Sequence, residues 1–182
     1  MPKKYLFDVS TYHHVAESGV WPENLRIELL EGEIVEMSPI GSAHAAIVTA
    51  LDDLFHESLS GLTVIRVQNP VQLGDLSEPQ PDLALVKSSA HRYRASHPTA
   101  EDVLLIVEVS DSRLEYDRST KLLLYARYRI PEVWVIDVKQ VRLNVFREPT
   151  PNGYQQRLWL TPDDMITPVS FPNVSIALTH IF

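Results

Sequence analysis

The chain contains no cysteine. That excludes disulfide staples, thiolate zinc sites and a cysteine nucleophile, and it fits a reducing compartment. No apolar run approaches the ~20 residues of a membrane span. The start of the chain, Met1-Pro2-Lys3-Lys4-Tyr5-Leu6-Phe7-Asp8, lacks the long apolar region of a signal peptide. A soluble cytoplasmic protein, with no membrane partner, is therefore expected. Internal repeats, low-complexity tracts and linkers are missing as well. The 182 residues are thus expected to form one domain, 1–182, long enough to bury a real core. Positive charge is also scarce: the formal net charge is −8 and the pI near 5.3. This excludes a protein that coats nucleic acid by bulk electrostatics. It does not exclude a nuclease, because acids that hold a cation add negative charge and contact with DNA can be local. Arg92, Arg94, Arg113, Arg118, Lys121, Arg127 and Arg129 gather in the middle of the chain. They form either a positive rim or a mixed-charge solvated face.

What is present is an ordinary globular composition, 45% hydrophobic and 22% charged. Residues 8–19 read as a short helix with an Asp or Ser cap and a Gly19 stop. Residues 26–37 read as two short strands turning at Glu31-Gly32. From Ser42 to about Leu59, apolar residues recur at three- and four-residue steps and predict a helix. Residues 63–68 alternate as a strand. Residues 82–87 and 103–109 are nearly continuous in apolar residues, the pattern of buried strands. The polar stretch between them reads as a surface loop or short helix. A helix is predicted over roughly Glu115 to Arg129, stopped by Pro131. Residues 133–137 are another buried strand, residues 141–147 and 154–160 a hairpin, and residues 174–178 a last strand or helical turn. This order indicates an α/β fold: a mixed central sheet flanked by helices, with an extra N-terminal hairpin and C-terminal strands.

Three polar residues stand out against these apolar segments. Asp82 follows Pro81 and opens Leu83-Ala84-Leu85-Val86, Glu108 sits within Val103 to Val109, and Lys121 falls in the first turns of the later helix. A buried charge that lacks its partner costs about 3–5 kcal/mol. Neighbouring strands lie ~4.8 Å apart, so carboxylates at their ends can converge on one cation. Oxygen-only ligands favour Mg²⁺ or Mn²⁺. Such a cation polarises a phosphoryl oxygen and lowers the pKa of bound water, and Lys121 can orient that water. Each residue also has a plainer reading. Asp82 can be a turn residue at a strand start, Glu108 a partner of a core arginine, and Lys121 an i,i+4 partner of Asp117.

Pro81-Asp82 followed by Glu108-Val109-Ser110 resembles the PD-(D/E)XK nuclease superfamily, whose core order is also helix, three strands, helix, strand. The usual lysine two residues after the glutamate is Ser110 here. Some branches carry it on the next helix, where Lys121 stands. Further segments resemble one branch. They are Glu28 to Pro39, His44, Pro81 to Val86, Val107 to Ser112, Asp117 to Lys121, Tyr125-Ala126 and Ile130 to Asp137. As a set, running from about Leu25 to Asp137, they resemble the Uma-two family of restriction-type endonucleases. The resemblance implies a restriction-endonuclease-like fold and a Mg²⁺-dependent DNA endonuclease, often a homodimer.

Its candidate site consists of Asp82 and Glu108 as metal ligands, Lys121 as the helper of the water, and Glu28 and His44 in support. The resemblance points to Glu28 as a third acid; a surface strand glutamate is the alternative. His44 is either a site residue or a helix-start histidine packed on the hairpin. Asp137, at the end of a buried strand, is a further candidate. Tyr125 and Tyr128 share the helical face of Lys121 and either wall the site or pack the core. Glu31 reads as a turn residue and Trp21, Trp134 and Trp159 as core or interface residues. His13-His14 is not a metal motif, because adjacent helical residues point different ways. The leading expectation is a nuclease. The competing one is a nuclease fold used for binding nucleic acid or protein, and RNA or branched DNA remain open as substrates.

Overall fold

The two apolar runs and the alternating stretches become neighbours in one sheet. The computed structural model describes residues 4–22, 24–110 and 115–182; the side chains of residues 115–119 are not among the groups described. The elements are α1 (Val9–Glu17), β1 (Ile27–Leu30), β2 (Glu33–Glu36), α2 (Ser42–Leu59), β3 (Val64–Val67), β4 (Leu83–Val86), β5 (Val103–Ser110), α3 (Glu115–Arg127), β6 (Glu132–Asp137), β7 (Arg142–Thr150), β8 (Gly153–Leu160), β9 (Met165–Ile166) and β10 (Ile176–Ala177). Strands β3 to β8 form a six-stranded sheet in chain order. All its pairings are antiparallel except β5 with β6. A parallel pair needs a long crossover, and α3 provides it. The chain is therefore a mixed α/β fold.

Strand alternation splits the core in two. Leu83, Leu85, Leu105, Val107, Val109, Trp134 and Ile136 pack with α2 and the C-terminal residues Ile166, Phe171, Ile176 and Leu178. Ala84, Val86, Ile106, Val133 and Val135 pack with Leu124, Tyr125 and Ile130 on the other face, where Leu30 of the β1–β2 hairpin joins them. Burying such a side chain fully stabilises by about 1.5–3 kcal/mol. The helical spacing in α2 explains its docking: Ile47, Val48, Leu51, Leu54, Phe55 and Leu59 form its buried stripe. The hairpin turns where expected. Glu31 and Gly32 both have positive φ, 50° and 82°, as a two-residue turn between paired Leu30 and Glu33 requires. A Cβ on Gly32 would lie 2.7 Å from the Leu6 Cβ.

Some details differ from expectation. α3 ends at Arg127, before Arg129, which takes a left-handed φ of 57°, while the Ile130 amide still donates to the Tyr125 carbonyl. The tail supplies both a short strand and a 3₁₀ turn (Leu178–His180). Trp134 is fully buried. Trp159 is not a core residue: it is 63% exposed on the edge strand β8, with the Arg157 guanidinium 5.3 Å from its ring centre. Among the described residues, no helix is long and apolar enough to cross a membrane.

Candidate active site

Parity and register decide which acids meet. Asp82 and Glu108 are two residues from Ala84 and Ile106, so strand alternation turns both toward the α3 face. Leu83 lies opposite Val107. One step further along the antiparallel pair, Asp82 and Glu108 come side by side. The Val109 amide donates to Asp82 Oδ2 at 2.8 Å, tying the acid to the neighbouring strand. His44, the third residue of α2, places Nε2 2.8 Å from Asp82 Oδ1.

From α3, Lys121 and Tyr125 reach in together, since residues four apart share a helical face. The Lys121 ammonium lies 2.9 Å from Glu28 Oε2 and 3.3 Å from Glu108 Oε1. The Tyr125 hydroxyl donates to the same Glu108 oxygen at 2.5 Å. Glu28, on β1, is anchored in turn: the Gln80 amide donates to its Oε2 at 3.0 Å. Asp82, Glu108, His44, Lys121, Tyr125 and Glu28 all line one cleft of about 770 Å³, whose other walls include Arg26, Val35, Met37 and Leu122. A second cleft of about 640 Å³, lined by His13, Glu78, Arg94 and His97 among others, contains none of these six.

Burial dominates the electrostatics here. It pushes the Glu108 carboxyl up to about 7; the Lys121 ammonium opposes this, and the charges of Asp82 and Glu28 reinforce it. Burial pulls the Lys121 ammonium down, yet Glu108 and Glu28 together outweigh it and hold the group above its ordinary value. Lys121 is therefore a cation at neutral pH. Burial and then the charges of Glu108 and Glu28 raise the Tyr125 phenol well above its ordinary range, so it remains a donor. The hydrogen bond to Asp82 raises His44, against burial.

The structure thus brings together Asp82, Glu108, Lys121, Glu28 and His44. Among the described residues, Glu108 pairs with Lys121 and with no arginine. Lys121 pairs with two acids on other elements, while the Asp117 side chain lies outside the described groups. Asp137 does not line the cleft; its carboxylate accepts from the Gln140 amide and closes the turn after β6. Tyr125 does more than pack, because its hydroxyl is spent on Glu108. Tyr128 lies elsewhere, near Gly74, where an added Cβ would come 2.5 Å from its hydroxyl. His13 and His14 diverge as expected, to Glu78 and to the Ser10 carbonyl.

Among the described residues, the positive rim is not formed as a unit. Lys121 is buried, Arg127 pairs with Glu31 at 2.5 Å, and Arg94 lines the second cleft. Arg113 and the side chain of Arg118 lie outside the described groups. Gln80 is a site neighbour that sequence reasoning missed. It acts through its backbone amide, which leaves no residue-type signal.

Among the described residues, no group of three or more His, Asp or Glu is arranged as a ready-made metal cage. The donor set nevertheless fits Mg²⁺ or Mn²⁺. Mg²⁺ retains several waters and is commonly held by one or two carboxylates. Glu28, Asp82 and Glu108 bring three carboxylates to a cleft where Lys121 and His44 supply the neighbouring positive groups. Burial, ahead of the charges of Asp82 and Glu28, keeps the Glu108 carboxyl raised in this cleft.

Comparisons with known proteins bear on the family and the fold. A family model named Uma2 and described as “Putative restriction endonuclease” matches residues 10–179. Among solved structures, the chain is similar to one described as “a putative nuclease belonging to DUF820” from Anabaena variabilis. The two are 17% identical with a TM-score of 0.72, over 92% of this chain and 96% of that one. At that identity the likeness establishes a shared fold. No curated protein matches the chain.

Proposed function

Because the chain belongs to the Uma2 family, we propose that it is a metal-dependent endonuclease hydrolysing DNA phosphodiester bonds, with Asp82, Glu108, Lys121, Glu28 and His44 as its site. The observation that carries this reading is the Lys121 ammonium lodged between Glu28 and Glu108 in the cleft that Asp82 and His44 also line. It supports placing the lysine on α3, since β5 carries Ser110 where the strand lysine of the superfamily would stand.

Asp82 and Glu108 are the residues that would hold Mg²⁺ or Mn²⁺. When bound there, the cation supplies charge to polarise a phosphoryl oxygen and lowers the pKa of a water. Lys121 keeps its proton, so it serves as an orienting cation and not as the base. Among the described residues, Glu28 and Glu108 face two of its three N–H donors, which leaves one for the attacking water or for the charge that builds on the phosphoryl oxygens. Glu28 sets the position of that ammonium, and the Gln80 amide sets Glu28. His44 holds the rotation of Asp82 from one side and the Val109 amide from the other. In this reading the substrate is DNA, the partner a second copy of the chain, and the compartment the cytoplasm, in keeping with a chain free of cysteine.

The test is cleavage of supercoiled plasmid by the purified protein. Nicking or cutting with Mg²⁺ or Mn²⁺, stopped by EDTA and abolished by Asp82→Ala, Glu108→Ala and Lys121→Ala separately, is expected. Cutting that survives all three substitutions removes the assignment. Metal binding without cutting of any DNA would leave a nuclease fold used for binding.

A further inference from the structure

We propose that Tyr125 is a positioning residue that makes Glu108 a one-oxygen ligand and so selects a small octahedral cation over calcium. This rests on the metal-dependent reading above. A carboxylate oxygen has two lone-pair sites. On Glu108 Oε1 both are taken: the Tyr125 hydroxyl approaches to 2.5 Å and the Lys121 ammonium to 3.3 Å. A cation can then reach Glu108 only through Oε2. Asp82 is also constrained, with His44 on Oδ1 and the Val109 amide on Oδ2. Mg²⁺ and Mn²⁺ suit such single-oxygen contacts completed by water. Ca²⁺ takes six to eight oxygens and commonly binds a carboxylate through both.

Tyr125 is placed to enforce this. It is fully buried and lies one helical turn from Lys121, so its ring cannot swing away without opening the core. A tyrosine that merely fills the core also finds a partner for its hydroxyl. That alternative predicts a change in stability but none in the choice of cation.

The experiment is calorimetric titration of the full chain with MnCl₂ and, separately, CaCl₂. Wild type should bind Mn²⁺ at least about tenfold more tightly than Ca²⁺. Tyr125→Phe fills the same space and frees one lone pair of Oε1. It should narrow that ratio by about tenfold, the lower end of what outer-shell partners of metal ligands are worth. Site-specific 3-fluorotyrosine at position 125, which still donates, should keep the wild-type ratio. An unchanged ratio in Tyr125→Phe, or equal affinities for the two cations in wild type, overturns the proposal while leaving metal binding in place. No heat from either cation in wild type removes the metal-dependent reading itself, and this inference with it.

Discussion

Replacing Glu108 by glutamine should stabilise the metal-free protein at alkaline pH. The glutamine is isosteric and its carbonyl can still accept from Tyr125 and Lys121; only the buried charge goes. A carboxyl held at about 7 in place of its ordinary 4.5 corresponds to about 3 kcal/mol between its protonation states, at about 1.4 kcal/mol per pH unit. The Glu108 side chain keeps 16% of its surface open to the cleft. Water there screens part of the charge, so a gain of about 1–3 kcal/mol is expected.

The sign follows from linkage. The folded carboxyl binds its proton more tightly than the unfolded one. Its stabilisation is complete below pH 4.5 and is lost as the pH rises through about 7. Urea denaturation in EDTA at pH 8 should therefore show Glu108→Gln above wild type, and at pH 4 the two should nearly coincide. Adding Mn²⁺ at pH 8 should raise wild type and leave the variant unmoved, reversing the order. If Glu108→Gln is less stable than wild type at pH 8 in EDTA, Lys121 fully compensates the buried acid, and burial does not dominate this site.

Other substitutions test the surroundings. Lys121→Met leaves Glu28 and Glu108 without their shared cation, and should cost about 3–5 kcal/mol by urea denaturation at pH 8 in addition to abolishing cleavage. Arg147→Ala should cost a similar amount, because Glu132 is fully buried and depends on the Arg147 guanidinium at 2.7 Å; a loss under about 1 kcal/mol would contradict this. Leu105→Ala, in the α2 core, should lower stability by about 2–5 kcal/mol without changing Mn²⁺ affinity, since it shares no face with the site.

Much of the fold was legible because its signals are local. The apolar runs around Asp82 and Glu108, the helical stripe of α2, the Glu31-Gly32 turn and the stop at Pro131 each depend on a few neighbouring residues. Misplacements occurred where distant parts decide. Trp159, expected as a core or interface residue, is outside the core, because it lies exposed on the edge strand β8. Of the two readings of Arg127, a basic rim or a mixed-charge face, the second holds, because Glu31, 96 positions away in sequence, lies against it. Tyr125 was recognisable as a neighbour of Lys121 on one helical face. That its hydroxyl ends on Glu108 depends on how α3 lies across β5.

The sequence by itself determined the elements, the parity of each strand and the short set of polar residues embedded in apolar segments. Alternation and helical period are properties of the local chain, and burying a charge constrains its neighbours wherever it falls. Only the tertiary structure decided that Glu28, His44, Asp82, Glu108 and Lys121 share one cleft. Their meeting requires β4 and β5 in one particular register, α3 crossing over their even-numbered face, and the Gln80 backbone beside β1. Those relations are set by the packing of the two cores as wholes, and no short stretch of sequence contains them.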